Sequence, residues 1–308
     1  MQLNSQEYKK LCYEANNKKL RLTKKLQEEI RHIYSKIYLK VSRSDFNSIN
    51  DKLVEKRIKA ILKLIVLDIL AIQEDIEDVT NEYLNEIAIA ANEPQAQMLF
   101  NLDKTYKLGL IAFINKLFDK VPAKATKKVL VGALYIDKLS MKRRINRALK
   151  KNAKDLKYIA AMALKQGKSF DQVLKDLQIY LRVGKQKPLG WINSYPKAST
   201  QIDYNIQRIA KTYASHVFQE TQKESCRRNP FVIGIKWLVS NSHRVCPLCK
   251  TRDQVIYKID EVPMDHPNGM CTTIPVLEKE LDLIGKELGE WVKGEANPKL
   301  DKWFDKYN

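Results

Sequence analysis

The chain has 308 residues, 30% of them charged, and its 55 Lys and Arg against 36 Asp and Glu give a net charge of +19. That length is enough to bury a core in one large domain or two modest ones. Ten glycines argue against an all-β protein or a glycine-loop enzyme, and the charge imbalance points to a polyanion, most simply nucleic acid, or else to an acidic protein partner.

Met1 to Ser5 lack the basic-then-apolar pattern of a signal peptide. The most apolar run, Ile61 to Ile72, is interrupted by Lys63 and Asp68 and is too short to cross a bilayer. The expectation is a protein without membrane attachment, made in a reducing cytoplasm, where a close cysteine pair favours a metal grip over a disulfide. Residues 2–40 read as a first helix, with Leu11, Leu20, Leu22, Leu26, Ile30 and Ile33 at turn-like spacing. Val41 to Ser44 marks a break, with Ser44 or Asp45 as the next cap. A second helical pattern runs from about Asp45 to Ala91. Leu53, Ile58, Ile61, Leu62, Ile65, Ile69 and Ile72 form its apolar face, and the acidic cluster Glu74, Asp75, Glu77 and Asp78 follows. Pro94 is expected to end this helix. A third is expected from Gln95 to Phe118, closed by Pro122.

The stretch from 121 to 190 holds 18 Lys and Arg against 4 Asp and Glu, a net of +14. Within it Arg143, Arg147, Lys150, Lys154 and Lys157 recur at helical spacing and share one face. Ile145, Leu149, Leu156, Ile159 and Ala163 fall on the other. Such a helix buries one side and offers a line of cations suited to phosphate contact. An ordinary solvated face or an acidic protein surface would accept the same pattern. Residues 184–196 carry Gly184, Pro188, Gly190 and Pro196 and read as a linker. An amphipathic helix follows over about 200–227, with Ile202, Ile206, Ile209, Tyr213 and Val217 on its buried face, and Asn229-Pro230 ends it.

Beyond it the pattern changes. Residues 232–239 and 254–259 read as two strands, 278–292 returns to helix, and Asn297-Pro298 opens a tail with Trp303, Phe304 and Tyr307. Cys246-Pro247-Leu248-Cys249 lies on the turn between the strands, and His266 to Cys271 follows the second. The order C-x2-C-x16-H-x4-C brings three thiols and an imidazole, a donor set that closes a tetrahedral structural zinc site. Small buried residues at a turn, with no metal, are the plain alternative. A catalytic metal would need a position left open for water. His243 and Asp265 are alternates close by, more consistent with surface or supporting roles, and Cys12 and Cys226 read as buried apolar residues in helices.

Signatures of catalysis are missing. Gly167-Lys168-Ser169 resembles the end of a phosphate-binding loop, but Met162 stands where the first glycine belongs. Neither HExxH nor GxSxG occurs, and His32 and His216 stand alone in helical patterns. No enzyme is expected.

Arg208-Ile209-Ala210-Lys211-Thr212, Lys236-Trp237, Arg244-Val245-Cys246-Pro247-Leu248-Cys249 and His266-Pro267-Asn268-Gly269-Met270-Cys271 together resemble the phage Mu F-like minor head proteins, also called phage head morphogenesis proteins. The resemblance covers roughly residues 200–277. The chain departs from the family's HPNCRC-like closing motif at Gly269 and Met270, while Cys271 is kept. The resemblance implies a non-enzymatic minor component of tailed-phage heads that associates with the portal and with capsid or scaffolding proteins. It implies a place in the head interior, near DNA bound without sequence preference. A zinc-containing nucleic-acid-binding protein outside any virion is the alternative. The fold expected is mainly α. A helical region over 1–190 is basic from about 121, a small α+β module with the Cys/His cluster covers 191–277, and a C-terminal helix and tail cover 278–308.

Overall fold

The computed structural model describes residues 5–44, 54–240 and 246–308. In chain order the helices are α1 (Ser5–Arg43), α2 (Val54–Ala71), α3 (Gln73–Tyr106), α4 (Ile111–Phe118), α5 (Val121–Leu130), α6 (Met141–Lys165), α7 (Phe170–Leu181), α8 (Leu189–Ser194), α9 (Tyr204–Arg227), α10 (Pro247–Arg252), α11 (Leu281–Val292) and α12 (Pro298–Tyr307). The strands are β1 (Val232–Leu238), β2 (Ile256–Tyr257) and β3 (Thr272–Leu277). The protein is mainly helical, with one small sheet beside the Cys/His cluster, as the sequence predicts. It divides into two compact units that are discontinuous in sequence. One takes the described parts of Met1–Thr23, Glu82–Lys138 and Lys211–Asn308, the other those of Lys24–Asn81 and Leu139–Ala210. The division drawn at 190 from composition follows the chain, whereas the units follow packing.

In the unit formed by 24–81 and 139–210, α2, α6 and α7 pack on one another. Ile58, Ile61, Ile65 and Ile69 recur every three or four residues and bury one side of α2. α6 starts at Ser140, whose hydroxyl accepts the Arg143 N–H at 3.4 Å. It buries Ile145, Leu149, Leu156, Ile159 and Ala163 as expected. A capping box of Ser169 and Gln172 starts α7. The buried Asp155 accepts from the Tyr180 hydroxyl at 3.0 Å, from the Ser199 N–H at 3.1 Å and from Lys151.

The linker expected over 184–196 is instead packed. It contains α8, and Trp191 and Tyr195 are buried. Trp191 lies nearly parallel to Tyr180 and donates to the Asp176 carbonyl at 3.1 Å. Lys187 donates to three carbonyls where α7 ends, those of Ile179, Tyr180 at 3.0 Å and Arg182 at 2.8 Å. Breakers there shape a path that aromatic packing then holds.

The other unit corrects several expectations. Pro94 lies inside α3 rather than at its end. The missing N–H costs about 3 kcal/mol in a helix interior, but the flanking residues are tied on both sides. Asn92 donates to the Phe118 carbonyl at 3.1 Å and accepts from Ser225 at 2.6 Å. Gln95 donates to the Tyr8 hydroxyl at 2.5 Å and accepts from Asn229 at 2.6 Å. The helix expected over 95–118 is broken at 107–110, where Lys107 and Gly109 take positive φ values of 54° and 73°. Pro122 opens α5 instead of closing a helix, because a first-turn N–H has no intrahelical partner and proline, which lacks one, gives up nothing there. The helical pattern expected from 45 begins outside the described residues; within them it starts at Val54 and is interrupted at Ile72.

The sheet order is β2-β1-β3, with both pairs antiparallel. The strand expected over 254–259 pairs only through Ile256 and Tyr257, and β3 was not expected at all. Residues 272–277 contain Pro275, which hides a strand, yet Pro275 pairs with Ile235 on an edge of the sheet. Trp237 and Ile235 are fully buried on β1, among Cys226, Cys249, Val262 and Cys271. A second apolar cluster gathers Phe113, Leu117, Leu281, Ile284, Leu288 and Trp303. It turns the aromatic tail into α12, capped by the Asn297 side chain on the Leu300 N–H at 3.2 Å. α9 is not one-sided: residues 213–222 are buried all round, so its polar side also meets protein.

Candidate metal centre

The first ligand turn is built locally. Cys246 N-caps α10, its sulfur accepting the Cys249 N–H at 3.3 Å, and Pro247 supplies a pre-set first helical residue. This short helix replaces the simple turn expected between the strands. Its far end is fixed to β1 by the Gln254 N–H on the Trp237 carbonyl at 2.9 Å. The Arg252 guanidinium lies over the Trp237 ring, 5.3 Å from its centroid.

The second ligand turn is clamped by α9. Three successive turns of that helix reach it, and a fourth holds the start of β3. Asn268 N–H donates to the Thr212 hydroxyl at 2.9 Å. Ser215 donates to the Asp265 carboxylate at 3.2 Å, and Asp265 N–H donates to the Gln219 side-chain oxygen at 2.9 Å. The Gln222 amide donates to the Thr273 carbonyl at 3.0 Å and accepts from its hydroxyl. His216 is buried, with Nε2 2.9 Å from the Asp265 carbonyl and Nδ1 3.0 Å from the Tyr135 hydroxyl. A carbonyl only accepts, so Nε2 carries the proton there and Nδ1 accepts from Tyr135. His216 is thus a brace within the fold, while His32 is exposed.

These two turns bring the predicted ligands together around Cys249. The ligand atoms of Cys246, Cys249 and His266 all lie within 4.8 Å of one another, as do those of Cys249, Asp265 and Cys271. A zinc–sulfur bond of about 2.3 Å sets tetrahedral sulfurs roughly 3.8 Å apart, so both groups are close enough to share a cation. Cys249 and Cys271 are buried, and Cys246 and His266 are partly exposed. The cluster can therefore hold a metal ion.

Asp265 competes with Cys271 for the fourth position, and its hydrogen bonds decide between them. One carboxylate oxygen accepts the His266 N–H at 2.9 Å. The other accepts Ser215 and the Cys271 N–H, each at 3.2 Å. Asp265 is thereby committed to holding the loop, and the Cys271 sulfur remains the available donor. His266 Nδ1 lies 3.1 Å from the Pro267 carbonyl. It donates there, leaving Nε2 with the lone pair that a metal needs.

Electrostatics separate the thiols. Cys246 is held below the ordinary thiol value, chiefly by the Cys249 N–H, with help from the Cys249 thiol and His266. Burial pushes Cys249 and Cys271 up. Against this, hydrogen bonds from the Cys249 thiol and the Ser240 N–H favour a Cys271 thiolate. A cation would reverse the effect of burial, because a coordinated thiol is deprotonated outright.

One neighbour was invisible in the sequence. Lys19 of α1 is buried, and its ammonium donates to the Cys271 carbonyl at 3.2 Å. It also lies over the Phe218 ring, 4.9 Å from the centroid. Burial lowers its pKa to about 8 against the opposing pull of Asp265 and Cys271. His243, an alternate ligand on sequence grounds, lies outside the described residues, as do Arg244 and Val245. Cys12 and Cys226 are buried, as expected.

The five stripe residues lie in the other unit. Arg143, Arg147, Lys150, Lys154 and Lys157 are all exposed on α6. None of their side chains takes part in an ion pair or hydrogen bond among the described residues. Their neighbours differ, Lys142 pairing with Glu77 and Lys151 with Asp155.

No family model matches the chain, and neither a curated protein nor a solved structure does.

Proposed function

We propose that the chain is a non-enzymatic minor structural protein of a tailed-phage head, associated with the portal and with capsid or scaffolding proteins. In this reading its C-terminal module is stapled by a closed structural zinc ion on Cys246, Cys249, His266 and Cys271. Its α6 stripe rests on packaged DNA without reading sequence.

The observation that carries it is the meeting of both halves of the C-x2-C…H-x4-C pattern around Cys249. The resemblance to Mu F-like head proteins rests in part on these same residues. Four protein donors leave no position for a reactive water, which favours a staple over a catalyst. Zinc fits the donor set because thiolate and imidazole suit it better than they suit oxygen-seeking cations. The five cations of α6, exposed and without an ion pair among the described residues, favour phosphate contact, since each can release a counterion.

Quantitative mass spectrometry on purified, nuclease-treated particles from the producing strain tests the assignment. The expected result is a few copies relative to the major capsid protein, with cross-links to the portal. Absence from both mature particles and procapsids would defeat the structural role. A zinc-containing DNA-binding protein outside the virion would then take its place.

A further inference from the structure

The C-terminal ligand cluster has an N-terminal component. Three thiolates and a neutral imidazole around a divalent cation carry one net negative charge, and the buried Asp265 beside them adds another. An anionic centre of this kind is stabilised by a cation close to its buried side. Lys19 is such a cation, beside the buried Cys271. Its side chain is nearly inaccessible, at 3% residue exposure, and among the described residues its ammonium donates to the carbonyl of the ligand Cys271. A buried ammonium with a single acceptor is costly unless an anion stands near it.

We infer that Lys19 is a positioning residue of the metal centre: it offsets the charge of the loaded thiolate cluster and holds the Cys271 backbone. This rests on the proposed zinc reading and extends it to the N-terminal helix. With three thiolates on one divalent ion the loaded cluster carries net negative charge, so the ammonium contributes most in the loaded state.

The test compares the full chain with Lys19→Met and, as a surface control, Lys18→Met, whose lysine faces Glu93 at 3.7 Å while substantially exposed. Zinc affinity is measured by competition with a chromophoric chelator, and melting is followed with and without zinc. Cobalt substitution reports sulfur-to-metal charge transfer. Lys19→Met should bind zinc about 10–100-fold more weakly, the range for residues that support a metal's ligands. It should melt no lower than the parent when both are metal-free. Lys18→Met should match the parent throughout. Equal zinc affinity in Lys19→Met and the parent overturns the inference and leaves the zinc reading intact. Equal losses in the metal-free and loaded states reduce Lys19 to a packing residue and also overturn it. A parent chain that binds neither zinc nor cobalt defeats both readings.

Discussion

A β-carbon added at Gly269 would stand 2.1 Å from an Asp265 carboxylate oxygen. That carboxylate is buried and held by three donors, so it cannot step aside without releasing the ligand loop. The loop closes against Asp265 at this position, and only glycine leaves room. Gly269→Ala should cost about 1–3 kcal/mol, the usual range for overpacking, and weaken metal binding as well. Urea denaturation and zinc titration measure the two effects. The ligands themselves were legible, because two short spacings fix them whatever the distant fold does. Lys19 was not, since it meets Cys271 across 252 residues and a lone lysine in a charged helix carries no mark. The α9 clamp left a faint one. Thr212, Ser215, Gln219 and Gln222 form an uncharged polar line on a helix rich in charges elsewhere, and such a line is a sign of buried polar partners.

At the scale of elements, periodicity was read well and punctuation less well. The two faces of α6 separate as its sequence predicts: Ile145, Leu149, Leu156, Ile159 and Ala163 are buried, and the five cations opposite are exposed. Proline was the poorer guide. Pro94 and Pro122 both read as helix ends in the sequence, yet one sits within α3, with hydrogen bonds on either side, and the other begins α5. Strand β3 escaped notice because Pro275 breaks its pattern and because α9, not a sequence neighbour, holds Thr273. For α6 the expected behaviour is electrostatic. Replacing Arg143, Arg147 and Lys150 with glutamate should weaken binding to duplex DNA of any sequence. It should also reduce the steepness of its salt dependence by about 0.9 per lost phosphate contact. Helix content should stay unchanged, because these side chains are exposed and unpaired. Binding that keeps both its strength and its salt slope would show that DNA meets another surface.

For the whole molecule, composition and packing divide the chain differently. α1, α3 and α9 each carry the chain from one compact unit into the other, and a linear reading of composition has no access to such crossings. The Cys/His cluster, its α9 clamp and Lys19 all belong to the unit that contains the sheet, and the cationic stripe belongs to the other. A small three-stranded sheet with one two-residue strand has little cohesion of its own, so a staple joining α10 to the loop before β3 would supply what the strands do not. The most direct measurement of that claim is zinc-edge X-ray absorption on the full chain purified under reducing conditions, alongside its metal content. One zinc per chain is predicted, with three sulfur neighbours at about 2.3 Å and one nitrogen at about 2.0–2.1 Å, and a lower melting temperature after chelation. A chain that carries no metal and melts unchanged with chelator, or a zinc shell containing water or fewer than three sulfurs, would contradict it.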